Sequence, residues 1–191
     1  MSAGWRCRGT VDKAVDKAVD EAANEAADEV ADPRPMKQRP MSYTLHHLFE
    51  VPQHRDAVAA LIHNEFWTQV PGASVAAMAA RIARAQRADA MPLCLVALQD
   101  GSPAGLVNLV EEDDEGHPEW HPWLAGMVVR ADLRGRGIGS ALVRELLDHA
   151  WRLGLPRVYF GTDGPGFYTR LGAVLHEQPR PDFCFMRFDR P

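Results

Sequence analysis

Val128-Val129-Arg130-Ala131-Asp132-Leu133-Arg134-Gly135-Arg136-Gly137-Ile138-Gly139-Ser140 is the stretch on which the fold turns. A β-branched apolar run passes through a glycine-rich turn. It leads directly into Ala141, Leu142, Val143, Leu146, Leu147 and Trp151, a strongly amphipathic helix that stops at Gly154. Glycine lets main-chain N–H groups point into one concavity with no Cβ in the way, and the helix start adds roughly half a positive charge there. Such a turn suits a pyrophosphate. A Gly-x-Gly loop alone also suits a plain tight strand-to-helix turn, so the surrounding sequence must decide.

Upstream, Ser42 to Phe49 reads as a first strand, and Pro52 opens a helix whose apolar positions Val58, Leu61, Ile62 and Phe66 recur at three- and four-residue spacing. Ser74 caps a second helix with Val75, Met78, Ala79, Ile82 and Ala85 on one side and Arg81, Arg84 and Arg87 towards water. Leu93 to Leu98 and Gly105 to Val110 flank a turn at Asp100-Gly101, which is a hairpin signal. An acidic loop then precedes a strand over Trp123 to Val129. Downstream lie a strand at Arg157 to Phe160, a short helix at Phe167 to Leu171 and closing strands at Val174 to Glu177 and Phe183 to Phe188. The expected architecture is α/β: a mixed central sheet flanked by helices, in the order β-α-α-β-β-β-α-β-α-β-β, with one parallel crossover through the long helix.

A chain of 191 residues, 46% of them hydrophobic, can bury a real core. Cys7, Cys94 and Cys184 stand far apart, which fits neither a disulfide framework nor a cysteine-zinc site and points to a reducing compartment. No apolar run approaches the ~20 residues that span a bilayer, so a cytoplasmic protein without a membrane partner is expected. Residues 11–32 form a degenerate four-residue repeat followed by Pro33, Pro35 and Pro40. Residues 1–40 therefore read as a low-complexity, flexible tail and linker, and 41–191 as the folded domain. A role of the tail in assembly, and a homodimer, are left open.

The net charge of −5 is not spread evenly. Residues 41–191 carry fourteen arginines, no lysine and eighteen acids, and six of those acids, Glu111, Glu112, Asp113, Asp114, Glu115 and Glu119, fall within nine residues. The one dense charge cluster is acidic, so no nucleic-acid partner is expected.

Two nucleotide readings of the glycine turn fail on residue type. A P-loop needs Gly-Lys-Ser or Gly-Lys-Thr, and no lysine follows residue 37. A dinucleotide fingerprint needs an acid at the end of the next strand, where the sequence reads Tyr159-Phe160-Gly161-Thr162. The run Arg134-Gly135-Arg136-Gly137-Ile138-Gly139 instead resembles the R/Q-x-x-G-x-G/A signature of the Gcn5-related N-acetyltransferases (GNAT), and Phe167-Tyr168-Thr169-Arg170-Leu171-Gly172 resembles their F-Y-x-x-L-G motif. The two stand in family order and spacing, and the resemblance extends over Ser42 to Phe188.

This resemblance implies an acyl-CoA N-acyltransferase fold with a splayed central sheet, and an acetyl-CoA-dependent N-acetyltransferase that moves the acetyl group directly to a primary amine. It implies that the backbone of Met127, Val128 and Val129 pairs with the pantetheine arm of acetyl-CoA, the cofactor acting as co-substrate. The amides of Arg134, Gly135, Arg136, Gly137, Ile138, Gly139 and Ser140 would cradle its pyrophosphate. A main-chain N–H of the central strand would polarise the thioester carbonyl. Tyr168 would be the general acid, since a phenol of reference pKa near 10 matches an alkyl thiolate.

The base is open. Many relatives carry a strand glutamate, whereas Trp123 to Val129 holds no carboxylate. Glu111, Glu112 and Asp113 are candidates, with His117 and His121 beside them. Pro118 and Pro122 argue against a helical histidine pair for zinc, and no metal is expected. Cys94 reads as packing. The acidic loop, at the end of the strand away from the pyrophosphate turn, suits attraction of a cationic small-molecule amine or a peptide N-terminus. The missing strand glutamate leaves one alternative, a non-catalytic CoA-binding sensor or regulatory module.

Overall fold

The structure is a computed structural model that describes residues 42–191. The expectation of a flexible tail at 1–40 lies outside the described residues. Among the described residues, seven strands and four α-helices succeed one another: β1 (Tyr43–His47), α1 (Arg55–Phe66), α2 (Val75–Ile82), β2 (Leu93–Gln99), β3 (Ser102–Val110), β4 (Trp123–Val129), α3 (Ile138–Arg152), β5 (Arg157–Thr162), α4 (Pro165–Thr169), β6 (Val174–Arg180) and β7 (Phe183–Asp189). The α/β order matches the sequence pattern element by element.

Several boundaries differ, each for a local reason. The first strand ends at His47 because the His47 N–H bonds the Glu50 carboxylate at 2.9 Å and Leu48–Glu50 winds into a 3-10 turn. Pro52 opens a second 3-10 turn, Pro52–His54, before α1 begins. Ser74 caps α2 by accepting from the Ala77 N–H at 3.1 Å, but that helix stops short of Ala85. Proline at its first turn starts α4 at Pro165, two residues before the expected Phe167. The β2–β3 hairpin turns at Asp100 (φ +51°) and Gly101 (φ +73°), the paired left-handed conformation of a tight hairpin.

The strands form one sheet in the order β1-β2-β3-β4-β5-β7-β6. Every neighbouring pair is antiparallel except β4 and β5, which run parallel as the ends of the α3 crossover. One face buries Leu142, Val143, Leu146 and Ala150 of α3 against Leu95, Val107, Leu109 and Phe160. The other buries Val58 and Ile62 of α1 with Met78 and Ile82 of α2 against Val96, Leu106, Ala125 and Val128. Strand residues alternate between the two cores, as the two-residue period of a strand covered on both faces requires.

Where β1 meets α3, the rings of His47 and His149 lie edge to face at 4.6 Å. Burial lowers the pKa of both, opposed at His47 by Glu50 and Glu145 and reinforced at both by Arg152. The fold therefore prefers both rings neutral. Stability from this pair is fully present above pH 6.5, the ordinary histidine value, and is lost as pH falls below it towards the lowered folded values. The melting temperature is expected to fall between pH 7 and 5, and a His149→Gln variant should show a shallower decline over that window in calorimetry.

Candidate active site

Beyond one residue pair, β4 and β5 do not remain together. They are in register only at Trp123↔Tyr159, where the Tyr159 N–H also bonds the Pro122 carbonyl at 2.9 Å. From that apex the strands diverge, so the β5-facing edge of β4 is open along its later residues, Met127, Val128 and Val129 among them. The sheet is splayed, as the resemblance stated for the sequence implies.

β4 is also bulged. Leu106 faces Val128 and Asn108 faces Ala125, so three steps on β4 answer two on β3. Gly126 takes φ +56° at the irregularity, a conformation that favours glycine. Gly126 and Met127 are also the two β4 residues that are not fully buried. The bulge was not foreseen in the sequence, although a glycine inside an otherwise apolar strand is its signal.

Past β4 the chain makes a short 3-10 turn, Ala131–Leu133, anchored by buried Leu133. Gly135 (φ +76°) and Gly137 (φ +84°) then reverse it into α3. The helix begins at Ile138, earlier than the amphipathic pattern alone marks, so Ile138, Gly139 and Ser140 form its first turn. Their N–H groups have no acceptor four residues back, and Gly137 at the N-cap has no side chain to cap them. Ala141 is the first whose N–H closes a helical bond, to Gly137 at 3.0 Å. Arg134 is held across the base of the turn, its Nε donating to the Val129 carbonyl at 2.9 Å and its Nη2 to both oxygens of Glu65 at 2.9 Å. Glu65 lies in the last turn of α1, where a carboxylate opposes the helix dipole. It was not singled out from the sequence, because the contact spans 69 residues.

The two signature motifs meet in space. A Cβ added at Gly139 would stand 3.4 Å from Cζ of Phe167 and 3.5 Å from Cγ2 of Val129, so α4 packs against the start of α3 and the end of β4. The next residue, Tyr168, is buried with its ring 4.4 Å from that of Phe160 on β5. Through Phe167 and Tyr168, α4 therefore contacts both banks of the opening on the α3 face.

The three candidate bases separate. Glu111 and Glu112 are exposed beyond the end of β3, whereas Asp113 is 6% exposed and its Oδ1 has no hydrogen-bond partner. Burial pushes the Asp113 carboxyl well above the usual carboxylate range, with Arg81 of α2 pulling it back and Asp114 adding to the rise. Arg81, expected to face water, is half-buried, and burial lowers it to about 10 against the attraction of Asp113. Cys94 is fully buried and its thiol is pushed up to about 12, in keeping with packing.

The rest of the acidic loop folds back across the sheet instead of standing in solvent. Trp120 stacks between His117 (ring centroids 3.7 Å apart) and Tyr159 (5.7 Å), and its carbonyl accepts from the Trp123 indole N–H. His117 lies 3.4 Å from Asp114 and 3.9 Å from Glu177 of β6. His121 is exposed. The loop thus covers the splay apex on the α1 and α2 face, opposite Tyr168.

Comparison with known proteins agrees with this geometry. The sequence model of the acetyltransferase (GNAT) family matches residues 59–173, more than half of the chain. A mycothiol acetyltransferase from Mycolicibacterium vanbaalenii is 47% identical over 53 residues, a match that takes in 28% of this chain and 16% of that protein. An aminoglycoside 6'-N-acetyltransferase complexed with coenzyme A superposes with a TM-score of 0.60 at 17% identity, covering 78% of this chain and 99% of the other. A glucosamine-6-phosphate N-acetyltransferase from Arabidopsis thaliana gives 0.55 at 18% identity, covering 73% and 95%. These two likenesses establish the fold. Among the described residues, no helix is long and apolar enough to cross a membrane.

Proposed function

Because the chain belongs to the GNAT acetyltransferase family, we propose that it transfers an acetyl group from acetyl-CoA directly to a primary amine, carried by a cationic small molecule or a peptide N-terminus. The observation that carries this reading is the opening of β4 from β5 just past Trp123↔Tyr159, bounded by the bulge at Gly126 and the uncapped start of α3. These residues fit acetyl-CoA. An arm rich in amides can bond the open edge at Met127, Val128 and Val129 as an added strand. The turn from Gly135 through Arg136 and Gly137 into Ile138, Gly139 and Ser140 supplies donors and a helix dipole for its pyrophosphate, whereas the Arg134 N–H, expected to join them, turns back to the Ala131 carbonyl at 3.4 Å. A neighbouring acetyltransferase structure of this fold is complexed with coenzyme A.

Bound there, acetyl-CoA supplies a thioester as acyl donor. The N–H groups of the bulge would hold the thioester carbonyl and stabilise negative charge there without reorganisation. The Tyr168 hydroxyl would supply the proton that the leaving thiolate needs. Among the three carboxylates, Asp113 is singled out to take the amine's proton by its burial and its unpartnered Oδ1, burial also raising its pKa. Glu111 and Glu112, exposed beside it, draw in a cation and pass the proton to solvent.

Thiol release from acetyl-CoA in the presence of polyamines, aminoglycosides, amino acids and peptide N-termini, followed by mass analysis of the product, tests the function. Tight CoA binding without turnover on any amine would replace it with the sensor reading. Once an acceptor is known, the double change Glu111→Gln and Glu112→Gln should raise its KM several-fold at low salt and flatten the salt dependence of kcat/KM. An unchanged KM and salt dependence would remove the steering role.

A further inference from the structure

Asn108 is a polar side chain in the middle of seven consecutive buried residues of β3, Ala104 to Val110, and is itself 2% exposed. A valine or leucine would pack there without the cost of burying an amide. The amide has one specific partner: its Nδ2 donates to the main-chain carbonyl of Ala125, directly opposite on β4, at 3.3 Å. The next residue along β4 is Gly126, with φ +56°, where the bulge begins. We infer that Asn108 is a positioning residue for acetyl transfer, which fixes the direction of the bulge N–H groups by holding the Ala125 carbonyl.

The physical basis is the planarity of the peptide bond. The Ala125 oxygen and the Gly126 N–H belong to one rigid plane, so a bond that holds the oxygen also sets where that N–H points. Gly126, without a Cβ, imposes the least restriction of any residue on that plane's rotation. The β3 register holds as far as Asn108↔Ala125 and breaks immediately beyond it, between Leu106 and Asn108, so the Gly126 peptide lies where the ladder's restraint ends. A carbonyl that accepts a hydrogen bond also makes the N–H of the same peptide a stronger donor. Asn108 shares its strand face with Leu106 and Val110, which pack towards α1 and α2. Tyr168 belongs to the core on the α3 face. The bulge is thus braced from the side opposite the proposed acid.

This inference rests on the proposed acetyl-CoA reading, and its test separates the two. Acetyl-CoA carrying carbon-13 at the carbonyl is bound to the wild-type chain and its carbonyl stretch measured by isotope-edited infrared spectroscopy. A downshift from the free cofactor reports the bulge donors. Asn108→Leu keeps the volume and removes the donor; Asn108→Ser keeps polarity but is too short to reach the carbonyl, so the two variants carry opposite folding risks. Both are expected to bind CoA within about twofold of wild type, to lose at least half of the downshift, and to lower kcat about tenfold with KM for acetyl-CoA unchanged, less than the loss of a direct oxyanion donor. Full downshift and unchanged kcat in a variant that binds CoA normally would overturn the role of Asn108. Wild-type protein that fails to bind acetyl-CoA would bring down the proposed function, and this inference with it.

Discussion

Replacing Tyr168 by phenylalanine is expected to lower kcat by about 10²- to 10³-fold while leaving the Kd for CoA within about twofold, within the range general acid catalysis contributes. The ring is fixed on several sides: it packs 4.4 Å from Phe160 and 4.8 Å from Phe167, and the main-chain carbonyl of Tyr168 accepts from Leu171 and Ala173. Phenylalanine keeps all of those contacts and deletes the hydroxyl alone. The loss should therefore fall on the chemical step, and a slower acyl acceptor should not mask it. A tyrosine that merely packs would give a variant with wild-type turnover. Stopped-flow thiol release beside calorimetric CoA binding reads both quantities.

Gly137→Val should abolish measurable CoA binding. Gly137 takes φ +84° as the residue before α3, a conformation that a β-branched residue enters only with strain. An added Cβ meets nothing within 4 Å, so the expected damage is to the backbone path and not to packing. A shifted path re-aims the N–H groups of Ile138, Gly139 and Ser140, which are useful to an anion only while they converge. Far-ultraviolet circular dichroism should remain native, because α3 keeps its buried Leu142, Val143 and Leu146. Native spectra with CoA affinity retained would remove the turn from the binding site.

Both changes fall in segments that were legible in the sequence, and the reason is that their constraints are local. Gly135, Gly137 and Gly139 advertise backbone conformations, and Phe167-Tyr168 stands at fixed spacing from a helix-ending glycine. The strand at Trp123–Val129 matched in full because an apolar run buried on both faces is bounded by Pro122 and the polar Arg130. Other features depend on contacts that no local window contains. Glu65 reaches Arg134 across 69 residues, and Asn108 acquires its role from a register break with a different strand. The acidic loop illustrates both limits. Its charge is plain in the sequence, but a run of acids gave no sign that Asp113 would be buried while Glu111 and Glu112 stay in water, nor that Trp120 would lie between His117 and Tyr159.

The polarity of charge noted in the sequence also acquires a physical layout. The acidic loop and the glycine turn flank opposite ends of β4, a strand of seven residues and hence about 20 Å apart. At that distance the two charge systems are largely screened from each other in physiological salt. An anionic cofactor at one end and a cationic acceptor at the other can therefore be held without mutual interference.

The occupation of the opening between β4 and β5 by the cofactor is measured most directly by amide hydrogen exchange with and without acetyl-CoA. The account predicts slower exchange at Met127, Val128 and Val129 and across Gly135 to Ser140, with the exposed carboxylate loop at Glu111 and Glu112 unchanged until an amine is added. Saturating acetyl-CoA that leaves β4 and the start of α3 unprotected, while protecting another face of the molecule, would contradict it.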